Sequence, residues 1–124
     1  MGITTVRVRV ANLQDPSRFF EDDFIVDTGA VLSFAPADRL AAIGITPSRQ
    51  ERFRLVDGSI VPRSVGDAFF EVEGKRAPAS VVFGEPGDAM LLGAVTLEML
   101  AFAVDPVSRR LQSVTMLAIS ARPV

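Results

Sequence analysis

A carboxylate, a small hydroxyl residue and a glycine stand in a row at Asp27-Thr28-Gly29, followed by the small residue Ala30 and preceded by the apolar run Phe24-Ile25-Val26. A carboxyl group delivered by such a run is expected to be partly desolvated, and so able to hold or surrender a proton near working pH. Glycine at the third position allows close backbone approach and unusual φ. Hydrolysis of a peptide bond by water needs two such groups, one taking a proton from the water while the other gives one to the carbonyl oxygen. Two carboxyl groups about 3 Å apart cannot both ionise, so a close pair supplies base and acid together.

The chain contains no second Asp-(Thr/Ser)-Gly: Asp57-Gly58 lacks the middle residue, and Asp105 is followed by Pro106. A second carboxylate must then come from another molecule, and a twofold axis through the site would bring Asp27 of two copies together. Asp22-Asp23 is a poor pair or metal site, because neighbouring strand residues point to opposite faces.

What is missing narrows the chemistry further. The 124 residues include no Cys, no His and no Trp. Disulfides, thiol nucleophiles, Cys/His zinc sites and a Ser-His-Asp triad are therefore excluded. Lys75 is the only lysine, and Glu73-Gly74-Lys75-Arg76 reads as a solvated turn rather than a base site. No cofactor is implied. The formal net charge of -2, without a basic stripe, argues against a nucleic-acid partner. The apolar stretches are too short to span a membrane, and the charged alternation Thr4 to Val10 is not a signal-peptide core. The expectation is one domain over 1–124, soluble and cytoplasmic.

Several elements must position Asp27. Val6 to Ala11 alternates as a half-wet strand, and a second strand from about Arg18 through Val26 ends in a run buried on both faces. Val31 to Phe34 is strand-like, and Pro36 opens a short helix that Gly44 ends. Arg49 to Val56 and Ser59 to Val72 flank Asp57-Gly58, the signal for a two-residue hairpin turn at the tip of a long ribbon. Strands follow at Ala79 to Phe83 and Met90 to Gly93, then a helical turn or two at Thr96 to Leu100, and strands at Phe102 to Val104 and Leu111 to Ile119. The nine phenylalanines read as core, with Phe53, Phe69 and Phe70 on the ribbon.

Phe24-Ile25-Val26-Asp27-Thr28-Gly29-Ala30 resembles the active-site motif of retropepsin-like aspartic proteases, the retroviral type and its small single-lobe bacterial and archaeal forms. Leu91-Leu92-Gly93 before Thr96 to Leu100 resembles the family's second signature, and the ribbon lies where its flap should, so order and spacing agree from about residue 5 to 113. The resemblance implies an all-β fold, a small closed barrel with one or two short helices, active as a homodimer on an extended peptide. It makes Asp27 the catalytic carboxylate, the Thr28 hydroxyl a lock between two loops across the dimer, Gly29 substrate-facing backbone and Ala30 the usual small residue. Leu91, Leu92 and Gly93 would support that loop. Val56-Asp57-Gly58-Ser59 would be the flap tip, although it lacks the glycine-rich apolar tip of retroviral enzymes.

The expected activity is endopeptidase cleavage by a water held between paired Asp27 carboxylates. The alternatives are a catalytically silent dimerisation or peptide-binding module of the same fold, and a plain β-domain with a fortuitous Asp-Thr-Gly.

Overall fold

The computed structural model describes residues 4–118, which form nine strands and two short helices, a mostly β architecture as expected. Strand β1 (Thr5–Ala11) pairs antiparallel with β2 (Phe19–Val26). Its alternation is realised: Val8 and Val10 are fully buried, while Arg9 on the other face meets Glu21 at 2.8 Å. In β2 only Phe24 is fully buried, and Ile25 and Val26 are half-buried rather than covered on both faces. The loop between the strands is held by Asn12, whose Oδ1 accepts the amides of Gln14 and Asp15 and whose Nδ2 donates to Ile43 O.

Beyond the Asp27 segment come β3 (Ser33–Pro36), helix α1 (Ala37–Ala42), β4 (Arg49–Arg54) and the long β5 (Ile60–Val72). They are followed by β6 (Lys75–Gly84), the two-residue β7 (Leu91–Leu92), helix α2 (Ala94–Met99), β8 (Phe102–Val104) and β9 (Leu111–Ser113). The main sheet runs β1-β2-β7-β3-β6-β5-β4, and a further β1–β5 pairing closes it on itself as a ring. Of this sheet's strands only β4 lies outside the ring, forming with the first half of β5 a hairpin arm, while β8 and β9 pair as a separate two-stranded sheet. Inside lies one apolar core built on Val8, Val10, Phe24, Leu40, Phe70 and Leu92.

Three local expectations are corrected. Asp57-Gly58 does not make a two-residue turn: Leu55 donates to Ser59 O at 2.8 Å and Gly58 to Leu55 O at 2.9 Å, so the loop is Val56-Asp57-Gly58. Gly58 closes it at φ +88°, the left-handed residue that a three-residue hairpin loop requires. Strand β6 starts at Lys75, and this lysine is no solvated turn residue: its Nζ donates to Leu100 O and Ala101 O at 3.1 Å each, over the Phe102 ring. A cation here satisfies the Leu100 carbonyl at the end of α2 and adds a second donor to Ala101 O, which also accepts Val114 N–H at 2.8 Å.

The last expected strand is also shorter, because β9 ends at Ser113, opposite Phe102. Val114 N–H still reaches Ala101 O at 2.8 Å, but the chain before Ala101 is the end of α2, so no ladder remains for residues 115–118 to join. Val114, Met116 and Leu117 are exposed, and Ile119 lies outside the described residues. Among the described residues no helix is long and apolar enough to cross a membrane.

Candidate active site

Strand β7 lies between β2, to which it is parallel, and β3, to which it is antiparallel. The segment from Asp27 to Leu32 that joins β2 to β3 must therefore pass round the end of β7. Asp27 sits at the first step of that passage, its amide donating to Leu92 O at 3.0 Å. Its Oδ1 accepts the Gly29 amide at 2.9 Å, and Ala30 N–H returns to Asp27 O at 3.2 Å. Among the described residues Oδ2 receives no hydrogen bond, so one carboxylate oxygen is anchored and the other is open to a partner. Asp27 is half-buried, whereas Thr28 and Gly29 are exposed.

The loop is then tied to the start of α2. Ala94 N–H donates to Ala30 O at 2.8 Å and Val95 N–H to Val31 O at 3.0 Å. Between these ties Gly93 touches Leu32 so closely that a Cβ would lie 2.6 Å from its carbonyl carbon and oxygen. That approach is the reason for a glycine at the end of β7. Beneath it, Ser33 Oγ accepts Gly93 N–H at 2.9 Å and shares a 2.6 Å hydrogen bond with Thr96 Oγ1. Both hydroxyl residues are fully buried. The expected supports Leu91, Leu92 and Gly93 are thus brought against Asp27-Thr28-Gly29-Ala30, and Ser33 and Thr96 join them.

Sequence reading missed that hydroxyl pair. Its signal was a serine beginning a strand and a threonine in a short helix, a combination with no distinctive spacing.

A small apolar cluster, Phe34, Val65 and Val82 with the partly buried Leu32, Phe53 and Leu91, joins the hairpin arm to this floor. Phe53 on the arm meets Phe34 edge-on, with ring centroids 5.3 Å apart. Leu32 and Leu91 belong to the two segments that hold Asp27. The other ribbon phenylalanines go elsewhere: Phe70 is core, and Phe69 lies under Arg76.

At the tip of the arm Val56 is fully exposed. Asp57 Oδ1 accepts the hydroxyl of Ser59 and its amide, and these bonds, the hydroxyl's first, hold the carboxyl below its ordinary value. Arg54 donates to Gly58 O at 3.1 Å. The tip is internally bonded around Asp57, with the apolar Val56 turned out to the surface.

The other adjacent carboxylate pair, Asp22-Asp23, is engaged elsewhere. Asp22 pairs with Arg39 and Asp23 with Arg7, on opposite sides of β2. The Asp23 amide, followed by Arg39, keeps the Asp22 carboxyl below its ordinary value. Among the described residues no group of three or more His, Cys, Asp or Glu side chains could hold a metal ion. No family model matches the chain, and no curated protein matches its sequence.

Proposed function

We propose that this chain is one subunit of a homodimeric aspartic endopeptidase of the retropepsin-like kind. The observation that carries the reading is the Asp27 turn. Its backbone is fixed on both sides by β7 and α2, while one oxygen of its half-buried carboxylate has no hydrogen-bond partner among the described residues.

A mate brought by a twofold axis supplies the second carboxylate, and the pair holds one proton between them. The ionised member takes a proton from a water, whose oxygen bonds to the scissile carbonyl carbon while the protonated member gives its proton to the carbonyl oxygen. The tetrahedral intermediate then returns a proton to a carboxylate as the carbonyl re-forms. The C–N bond breaks as the leaving nitrogen is protonated, and water alone has been consumed.

In this reading the exposed Thr28 bonds across the axis through its hydroxyl, and Gly29 offers backbone to the substrate. The peptide lies extended between the floor and the arm, paired as an added strand. The apolar surface of Leu32, Phe53 and Leu91 supports a preference for apolar side chains, and Val56, Asp57, Gly58 and Ser59 close over it.

Wild type and Asp27→Asn are compared on a diverse peptide mixture from mildly acidic to neutral pH, with cleavage read by mass spectrometry. Asparagine keeps an oxygen to accept the Gly29 amide, so the fold is expected to survive while cleavage falls by at least about 10²-fold. Equal cutting by both proteins overturns the assignment of Asp27. No cutting by either, in a confirmed dimer, favours a silent peptide-binding module.

A further inference from the structure

Five ion pairs are seen among the described residues, and one differs from the rest. In Arg7–Asp23, Arg9–Glu21, Arg39–Asp22 and Arg49–Glu51 every side chain is at least 35% exposed, whereas Arg63 and Asp88 are 11% and 12% exposed. The geometry is two-pronged, with Arg63 Nε to Asp88 Oδ2 at 2.8 Å and Nη2 to Oδ1 at 3.1 Å. Such paired, parallel bonds fix orientation as well as distance. Asp88 Oδ2 also accepts the Glu85 amide at 2.9 Å, closing the turn that leads into β7.

The two residues sit at informative places. Arg63 lies on the arm directly opposite Glu51 in register, yet Glu51 is taken by Arg49 and the Arg63 guanidinium turns to the body. The arm needs such an anchor, because β4 has a single neighbour and its residues other than Phe53 are exposed. Asp88 stands just ahead of Met90, whose carbonyl accepts Ile25 N–H at 3.0 Å, and of Leu92, whose carbonyl accepts Asp27 N–H. One ion pair thus connects the arm to the short strand that carries the Asp27 turn.

We infer that Arg63 and Asp88 are positioning residues that fix the arm over the Asp27 floor and thereby set how tightly an extended peptide is gripped. The inference rests on the protease reading for its substrate, and on geometry alone for the tether.

Two readouts separate these parts. The first is amide hydrogen exchange in wild type, Arg63→Met, Arg63→Lys and Asp88→Asn, comparing the arm (residues 50–64) with β1 and β2. Loss of the tether speeds exchange in the arm by about tenfold or more while β1 and β2 change little. Arg63→Lys, which restores the charge without the fork, falls between wild type and Arg63→Met. The second is peptide handling: KM in active protein, and peptide Kd in the uncleaving Asp27→Asn background, both rise by about tenfold with kcat changed less than about threefold.

Exchange that is unchanged, or that rises equally in arm and body, overturns the tether. Arm-selective exchange with unaltered KM and Kd overturns the role in gripping. A wild type that cuts no peptide defeats the protease reading, while the exchange contrast and the Kd still decide the inference.

Discussion

The amide of Asp27 donates to the carbonyl of Leu92 across 3.0 Å, and that bond joins the end of β2 to the end of β7. Everything that fixes the position of Leu92 therefore bears on the carboxylate, beginning with the glycine that follows it.

Gly93→Ala is expected to be the most damaging single methyl addition near the site. The new Cβ would meet backbone atoms of Leu32 at 2.6 Å and the Ala30 carbonyl oxygen at 2.9 Å, so no side-chain rotation relieves it. Overpacking of this kind costs about 1–3 kcal/mol or more, and here relief means moving the Asp27 loop. Thermal denaturation and peptide cleavage should both fall; a variant with wild-type stability and activity would show that the close approach is not needed.

Ser33→Ala removes the acceptor of the buried Gly93 amide and the partner of Thr96 together. A buried donor left unsatisfied costs about 1–3 kcal/mol. Thr96→Val leaves the Ser33–Gly93 bond in place, so it should cost less. Because the two share one hydrogen bond, the double variant should lose less than the sum of the singles in chemical denaturation. Strict additivity would mean that the hydroxyls act independently.

Much of this arrangement was legible in the sequence, for reasons that particular residues make plain. Val6, Val8 and Val10 alternate with Arg7 and Arg9, and a period of two leaves little freedom about which face is buried. Asp27-Thr28-Gly29 and Leu91-Leu92-Gly93 carried the expectation that two distant segments meet, and their backbones do. The shortfalls share one cause: each depends on a tertiary partner. Lys75 follows Glu73-Gly74 as a turn residue would, and only the packing of α2 above β6 gives its ammonium two carbonyls. Arg63 sits opposite Glu51 in the ribbon, and no local rule says that it will choose Asp88 instead. The tip loop gained a residue because Leu55 and Ser59 close around Val56-Asp57-Gly58, a choice that the Asp-Gly dipeptide leaves open.

Lys75→Met keeps an aliphatic stem of similar length over Phe102 but removes the donor from Leu100 O and Ala101 O. Loss of a cation at a helix C-terminus typically costs about 0.3–1 kcal/mol, and up to about 2 in partly buried geometry. Denaturant midpoints should fall accordingly, while cleavage at temperatures below unfolding should match wild type. Abolished cleavage in a folded Lys75→Met protein would instead put the lysine in the chemistry.

The Arg63–Asp88 tether has a definite pH signature. The hydrogen bonds from Arg63 hold the Asp88 carboxyl below its ordinary range despite burial, helped by the Glu85 amide, and Arg63 in turn stays charged. A carboxyl depressed in the folded state contributes stability that is complete above its unfolded value, about 3.9, and is lost as pH falls through the folded one. The stability difference between wild type and Asp88→Asn, about 1.5–3 kcal/mol for bonds to a charged group, should therefore hold steady from pH 7 to 5. It should shrink only below about pH 3.9. Denaturation series at several pH values test this, and a difference that fades already between pH 7 and 5 would contradict the pairing.

The strongest test of a shared site uses mixed subunits. If each catalytic pair takes one Asp27 from each of two chains, replacing half of the wild type by Asp27→Asn at constant total concentration leaves about a quarter of the dimers with both carboxylates. A hybrid holds one carboxyl group and an amide, and cannot supply base and acid in turn. Cleavage should then follow the square of the wild-type fraction once subunits have exchanged, and should fall linearly if each chain works alone. Dilution distinguishes a third case: activity per chain that drops as the dimer dissociates, tracked by light scattering on the same samples, ties the chemistry to assembly. Linear dependence with no effect of dilution would place the whole site within one chain, leaving Asp27 Oδ2 without the role proposed for it.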